Sequence, residues 1–298
     1  MKKKLLIILP LLFGMFATSC SNEPATEPVN KETFVKNLNT IKEKADADVN
    51  DNGVKYENIS SIETDLKIDG QSLNLLAKNK NTVIVFKNKL EATSKIDING
   101  STIIDEKIEK VKVNSNATFF SEYFSDSNKI KLMLSMDAKS CMPGQNEHIS
   151  KKISSEIAKS DDENIYNEYL NNIDTSYGSF TSAQIEEALS SISTVLDANF
   201  GYIKEGEKEV FSVVQEIKEG SNSENLNMRF TFDSGYLTKM DATSEVRAID
   251  PATKDESYIK IKNIITADKY NKEINAPNPN GYENISYSEF EAYLDQIN

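Results

Sequence analysis

The chain has 298 residues, with 34 Lys and Arg against 47 Asp and Glu, a net charge of −13, one His, two Cys and no Trp. Hydrophobic residues make up 38%, enough for a substantial core, and their periodic runs exclude a chain disordered throughout. Two cysteines cannot staple a chain this long, and so acidic a surface lacks the basic footprint of a nucleic-acid binder, so no nucleic-acid partner is expected.

Lys2, Lys3 and Lys4 precede the apolar run Leu5 to Phe16, which at about a dozen residues is too short to span a bilayer. The run ends in Ala17-Thr18-Ser19-Cys20. Small residues directly before a cysteine resemble the lipobox of bacterial lipoproteins, with Ala17 where Leu is commonest and Ser19 where Gly or Ala is commonest. The resemblance implies that residues 1–19 are a lipoprotein signal peptide. It also implies that the Cys20 sulfur receives a diacylglycerol carrying palmitate-type chains and becomes the new N-terminus. Removing residues 1–19 leaves 31 basic against 47 acidic side chains, a net charge of −16. Anionic headgroups repel such a surface, so attachment to the extracytoplasmic face of a cell membrane is expected to rest on the lipid at Cys20.

Residues 20–30 carry two prolines, two acids and no apolar period, and read as a lipidated, disordered tether. Residues 31–298 read as one α+β domain. Asn30 can cap a helix with Phe34, Leu38 and Ile41 on one face, ending near Ala45. From Ile59 to Leu134 the period falls to two, in Ile62, Leu66 and Ile68, then Ile96 and Ile98, then Val111 and Val113. Six or seven antiparallel strands are expected there. Hairpin turns are assigned at Asp69-Gly70 and Asn99-Gly100, and polar breaks at Asn79-Lys80-Asn81 and Lys87-Asn88-Lys89.

The stretch from Ser150 to about Phe200 reads as helical, with a short helix over Ile165 to Ile173. In its second half, Thr181 and Gln184 form a capping box ahead of an apolar face of Ile185, Leu189, Ile192, Val195 and Leu196. Tyr202 to Asp268 is a second strand ladder, in which Met228, Phe230 and Phe232 lead to a turn at Asp233-Ser234-Gly235. Asn275 to Gly281 breaks the ladder, and Ser286 with Glu289 can cap a final helix carrying Phe290, Tyr293, Leu294 and Ile297.

This order predicts a curved antiparallel sheet with helices on its concave face and a gap between the layers suited to a hydrophobic ligand. The order, together with the closing stretch Tyr270 to Ile274 to Pro277, resembles the LolA/LppX-like lipoprotein-carrier fold over roughly Lys31 to Ile285. That resemblance implies an incomplete barrel whose concave-face helices enclose an apolar cavity for acyl chains, and it transfers no individual binding residue. The expected lining is the helix face Ile185, Leu189, Ile192 and Leu196 with the strand residues Phe230 and Phe232. The alternative is a surface scaffold or protein-interaction lipoprotein whose helices leave no cavity.

Catalysis is not expected. His148 is the sole histidine, and a Cys141–His148 pair in a polar linker has no orienting partner or oxyanion device. Asp48, Asn50, Asn52 and Gly53 match the start of a calcium loop, but the twelfth position is Ile59. A frame two residues earlier aligns Asp46, Asp48, Asn50 and Glu57 and then places Asp51 where Gly is needed. The turn therefore remains a weak calcium candidate, and no cofactor is expected.

Overall fold

The computed structural model describes residues 25–47, 53–68, 71–104, 107–142, 145–173, 177–194, 197–250 and 253–297. Cys20 and residues 1–19, the expected signal peptide, lie outside them. The elements run β1 (Glu27–Val29), α1 (Lys31–Ala47), β2 (Gly53–Ile68), β3 (Gln71–Phe86), β4 (Lys89–Ile104), β5 (Lys107–Phe124), β6 (Lys129–Met142) and β7 (Gln145–Ala158). They continue with α2 (Glu163–Ile173), α3 (Tyr177–Thr194), β8 (Asn199–Glu205), β9 (Lys208–Glu219), β10 (Asn222–Asp233), β11 (Tyr236–Ile249), β12 (Glu256–Tyr270), β13 (Glu283–Asn284) and α4 (Tyr287–Ile297). All of these described elements fall between residues 27 and 297, so a chain beginning at Ser21 contains every one of them.

Among the described residues, thirteen strands form one sheet in the order β1-β8-β9-β10-β11-β12-β2-β3-β4-β5-β6-β7-β13. Pairing is antiparallel except for the short β13, which runs parallel to β7. The two ladders read from the sequence are thus one sheet, joined where β12 pairs with β2. Phe200 on β8, Tyr56 on the central β2 and Ile153 on β7 belong to one apolar cluster with Phe34, Leu38 and Ile41 of α1. A sheet whose centre and both flanks share one core must curve around its helices, and its edges stay unclosed.

Local chemistry accounts for the helix starts. The Asn30 side chain accepts a hydrogen bond from the Thr33 amide at 2.8 Å, and Asp162 accepts from the Asn164 and Ile165 amides at 3.0 Å each. At the last helix the Glu289 amide donates to Ser286 Oγ while the Ser286 amide donates to Glu289 Oε2, a reciprocal capping box. Ser234 and Gly235 both have positive φ, 54° and 85°, and turn β10 into β11 with the primed geometry that suits tight hairpins.

Several expectations fail for identifiable reasons. Ser150 to Ala158 is strand, not helix: Ile149, Ile153 and Ile157 are spaced four apart, which fits a helix face and one face of a strand equally well. Asn79-Lys80-Asn81 lies inside β3 and Asn99-Gly100 inside β4. Gly100 serves a close approach, not a turn, since a Cβ there would sit 2.4 Å from the Asn74 carbonyl oxygen. Thr181 and Gln184 do not cap α3, which starts earlier, at Tyr177. Thr181 Oγ1 instead accepts the Leu237 amide at 3.2 Å and ties the helix to β11. Within the expected tether, Glu27–Val29 pairs with β8 as an edge strand.

A second, smaller cluster of Phe86, Phe120, Met133 and Ile274 sits on the opposite face, under the segment after β12. Lys87 and Lys89 hold that segment through Glu273 at 2.9 and 3.7 Å, and Lys89 also donates to the Ile274 carbonyl.

Candidate ligand-binding face

The long strands extend well past the helices. Burial concentrates at one end of the sheet, at Val54 and Tyr56 of β2, Val83 and Val85 of β3, Leu90 and Ala92 of β4, and Met228, Phe230 and Phe232 of β10. Because side chains alternate, the same inner face continues up β2 through Asn58, Ser60, Ile62, Thr64 and Leu66. Strand register then places Ile261, Ile62, Ala77, Ile98 and Val113 side by side on five neighbouring strands. The next row toward the free end holds Val246, Ile259, Thr64, Leu75, Gly100 and Val111. Leu66 and Leu73 follow as a further pair.

Ile62, Leu75, Ile98 and Ile261 are half-buried and belong to neither apolar cluster of the fold. With strands about 4.8 Å apart and about 3.3 Å per residue, the panel spans roughly 13 by 20 Å from the Ile62 row to the Leu66–Leu73 pair, whose row Thr102 and Glu109 complete. The outer face alternates with it and is charged, with Glu63, Lys78, Lys80, Lys95, Asp97, Lys110 and Lys112 at the intervening positions. A barrel that spans a membrane has the reverse pattern, apolar outside and polar inside.

Between the panel and the helix-covered core lies a polar belt. One inner row reads Asn263, Ser60, Asn79 and Ile96, and the next reads Ile265, Asn58, Asn81 and Ser94. Asn263 and Asn81 are each 2% exposed. Among the described residues, both amide atoms of Asn263 and the Oδ1 atoms of Asn79 and Asn81 have no hydrogen-bond partner. A buried polar atom left so costs about 1–3 kcal/mol, so the belt is a destabilising feature by itself.

The residues expected from the sequence lie deeper. Ile185 and Ile192 of α3, each 1% exposed, share the core with Phe230 and Phe232, and Leu189 packs against it. They are brought together as expected, and each contributes to the interior packing of α3 on α1 and the sheet. Leu196 lies outside the described side chains, as do Asp48 and Asn50 of the calcium candidate. Of its other members, Asp46 contacts Lys42 at 3.3 Å, and Glu57 contacts Lys55 and Lys80 at 3.0 and 3.7 Å. Both carboxyls are held below the usual carboxylate range, Asp46 chiefly by a hydrogen bond from Ser182 and Glu57 by one from Lys55. No cluster of three or more metal-ligating side chains occurs among the described residues.

Cys141 and His148 sit on adjacent strands, not in a linker. Cys141 is an exposed free thiol paired in register with Asn146, while His148 Nε2 lies 3.4 Å from Asp137 Oδ2. A separate groove of about 470 Å³ opens at the β1–β8 edge, lined by Thr26, Val29, Lys31, Phe200, Ser212 and Val214.

Glu187 of α3 is half-buried and bears electrostatically on Tyr56, whose hydroxyl burial pushes well above the usual phenol range. Burial also raises the Glu187 carboxyl. A raised carboxyl favours the folded state while protonated, and that stability disappears as pH rises through its folded pKa. Glu187→Gln should therefore melt higher than the parent at pH 7.5, by about 1–2 °C for a partly exposed group. The gain should vanish by pH 4. A thermal melt series across that range checks this, and an equal gain at both pH values would rule it out.

No protein-family description and no curated protein sequence matches this chain. Among solved structures it is similar to the translocator domain of the autotransporter NalP from Neisseria meningitidis, at 6% identity and a TM-score of 0.21, over 79% of this chain and 95% of the other. It is similar also to a β-barrel-like DUF1849 protein from Brucella abortus, at 9% identity and a TM-score of 0.21, over 72% and 98%. A DUF1329 family protein from Desulfovibrio piger matches at 12% identity and a TM-score of 0.18, over 81% and 95%. Backbones that superpose so poorly carry no function across, so the residues of this chain alone support the reading that follows.

Proposed function

We propose that this chain is a membrane-tethered bacterial lipoprotein, anchored through a lipid on Cys20, that holds an acyl chain or similar apolar ligand against the inner face of its sheet. The observation that carries the ligand half is the panel of Ile62, Leu75, Ile98 and Ile261, apolar and half-buried beyond the helix-packed core. Each methylene taken out of water there is worth about 0.8 kcal/mol, so a tail of roughly a dozen carbons offsets the entropy lost on binding. The anchor half rests on the basic start, short apolar run and small residues ahead of Cys20. A net charge of −16 after processing supplies no electrostatic help at an anionic surface.

One experiment has two arms. Labelled palmitate fed to a bacterial host should enter the full chain covalently and should be absent from Cys20→Ser. The chain beginning at Ser21, purified without detergent and extracted with organic solvent, should release a near-stoichiometric acyl lipid by mass spectrometry. A lipid-free protein that also refuses a fluorescent fatty acid would overturn the ligand half and favour a tethered interaction module.

A further inference from the structure

We propose that the ligand on the inner face carries an uncharged hydrogen-bond-donating group, such as a hydroxyl or an N–H-bearing amide, received by Asn79, Asn81 and Asn263 at the deep edge of the apolar panel. This rests on the ligand reading above and adds the chemistry of the head group.

The belt interrupts an otherwise apolar face. Asn263 stands between Ile261 and Ile265 on β12, and Asn79 and Asn81 stand between Ala77 and Val83 on β3. Packing alone gives no reason for amides there, because the flanking rows, Ile261, Ile62, Ala77 and Ile98 on one side and Ala267, Tyr56, Val83 and Ala92 on the other, are apolar but for the Tyr56 hydroxyl. Register sets Asn263, Ser60 and Asn79 in one row, with Asn81 two residues deeper on β3. Adjacent members of the row lie about 5 Å apart, so Asn263 and Asn79 stand about 10 Å apart with Ser60 between them, a span that a head group with several polar atoms covers.

The belt offers donors and acceptors together. Asn263 presents both Nδ2 and Oδ1 without a partner, and Asn79 and Asn81 each present Oδ1. A hydroxyl or a primary or secondary amide can donate to these oxygens, and a hydroxyl, ester or amide can accept from the Asn263 amide. An ionised head finds no counter-charge, since the two rows hold no Lys, Arg, Asp or Glu across β12 to β4. On the helix side the Glu187 carboxyl bears on Tyr56, one row deeper than Asn58, and would repel a carboxylate or phosphate. The ligand thus enters polar group first, with its apolar part along Ile62, Leu75 and Ile98 toward the free end.

The test compares three probes on the chain beginning at Ser21, by displacement of the neutral dye N-phenyl-1-naphthylamine. Oleoyl glycerol, oleate and octadecene share a long tail and differ in the head. Oleoyl glycerol should displace the dye at least tenfold better than either of the others, a difference of about 1.4 kcal/mol. Asn263→Leu should bring oleoyl glycerol to the level of octadecene, leave octadecene within twofold, and melt no lower than the parent. Asn79→Leu supplies a second variant should the first fail to fold, with the same loss of preference expected. Equal displacement by all three probes, or a preference that survives both substitutions, overturns the head-group proposal while leaving the ligand reading intact. A chain that binds neither the dye nor any probe overturns the ligand reading itself.

Discussion

Replacing Phe34 by alanine should lower the melting temperature by about 10 °C, the largest loss expected from a single truncation outside the ligand face. Phe34 is fully buried in the first turn of α1, with its ring 5.1 Å from Phe200 and 5.3 Å from Phe211. Phe211 in turn lies 5.6 Å from Phe232 and 4.8 Å from Tyr202. One side chain therefore ties α1 to β8, β9 and β10. Removing it deletes aromatic contacts and leaves a void that neighbours fixed in a sheet cannot fill, a cost of about 3–5 kcal/mol. Against a typical domain stability of about 5–15 kcal/mol, that is a large share. Amide exchange should quicken across Phe200 to Glu205, because β8 has only the three residues of β1 on its outer side. Phe124→Ala, at a residue 40% exposed, should change the melt by less than about 2 °C. If the two variants melt alike, Phe34 does not join these layers.

What could be read from the sequence depended on period. Helices α1, α2 and α4 were visible because Asn30, Asp162 and Ser286 with Glu289 cap them and apolar residues follow at helical spacing. The strand character of Ile62, Leu66 and Ile68 was equally clear. Strand length was not, because Asn79 to Asn81 and Asn99-Gly100 have turn composition while sitting in the middle of strands about 16 residues long. The tertiary pairing of both neighbours overrides that local preference. β7 was missed because isoleucines four apart satisfy two periods at once.

The candidate site was missed for a related reason. Ile62, Ile98 and Val113 are legible one by one as strand positions, but only register shows that they share a face with Ile261 and Ala77. Sequence order separates Ile261 from Ile62 by most of the chain, and nothing local announces that β12 and β2 pair. The helix face of Ile185 and Ile192 was the more conspicuous apolar stripe, and it serves the core. The belt was hidden by the same composition that suggested turns: an asparagine in a strand gives no sign of being buried.

The face dependence of binding can be tested with one chemical change made on two sides of the sheet. Ile98→Glu, on the inner panel, should abolish lipid co-purification and weaken apolar ligands by well over tenfold. Ile59→Glu, on the outer face and 46% exposed, should leave both unchanged. A carboxylate at position 98 would have to lose its water when a tail lies over it, and no cation stands in its row to compensate. At position 59 the new charge joins a face already populated by Glu57, Lys78 and Lys80 and stays solvated. Neither residue belongs to a core cluster, so each variant should melt within about 2 °C of the parent, which separates lost binding from lost folding. Dye displacement and solvent extraction on both proteins give the readout. If both variants bind, or both fail while folded, the ligand does not lie on the inner face.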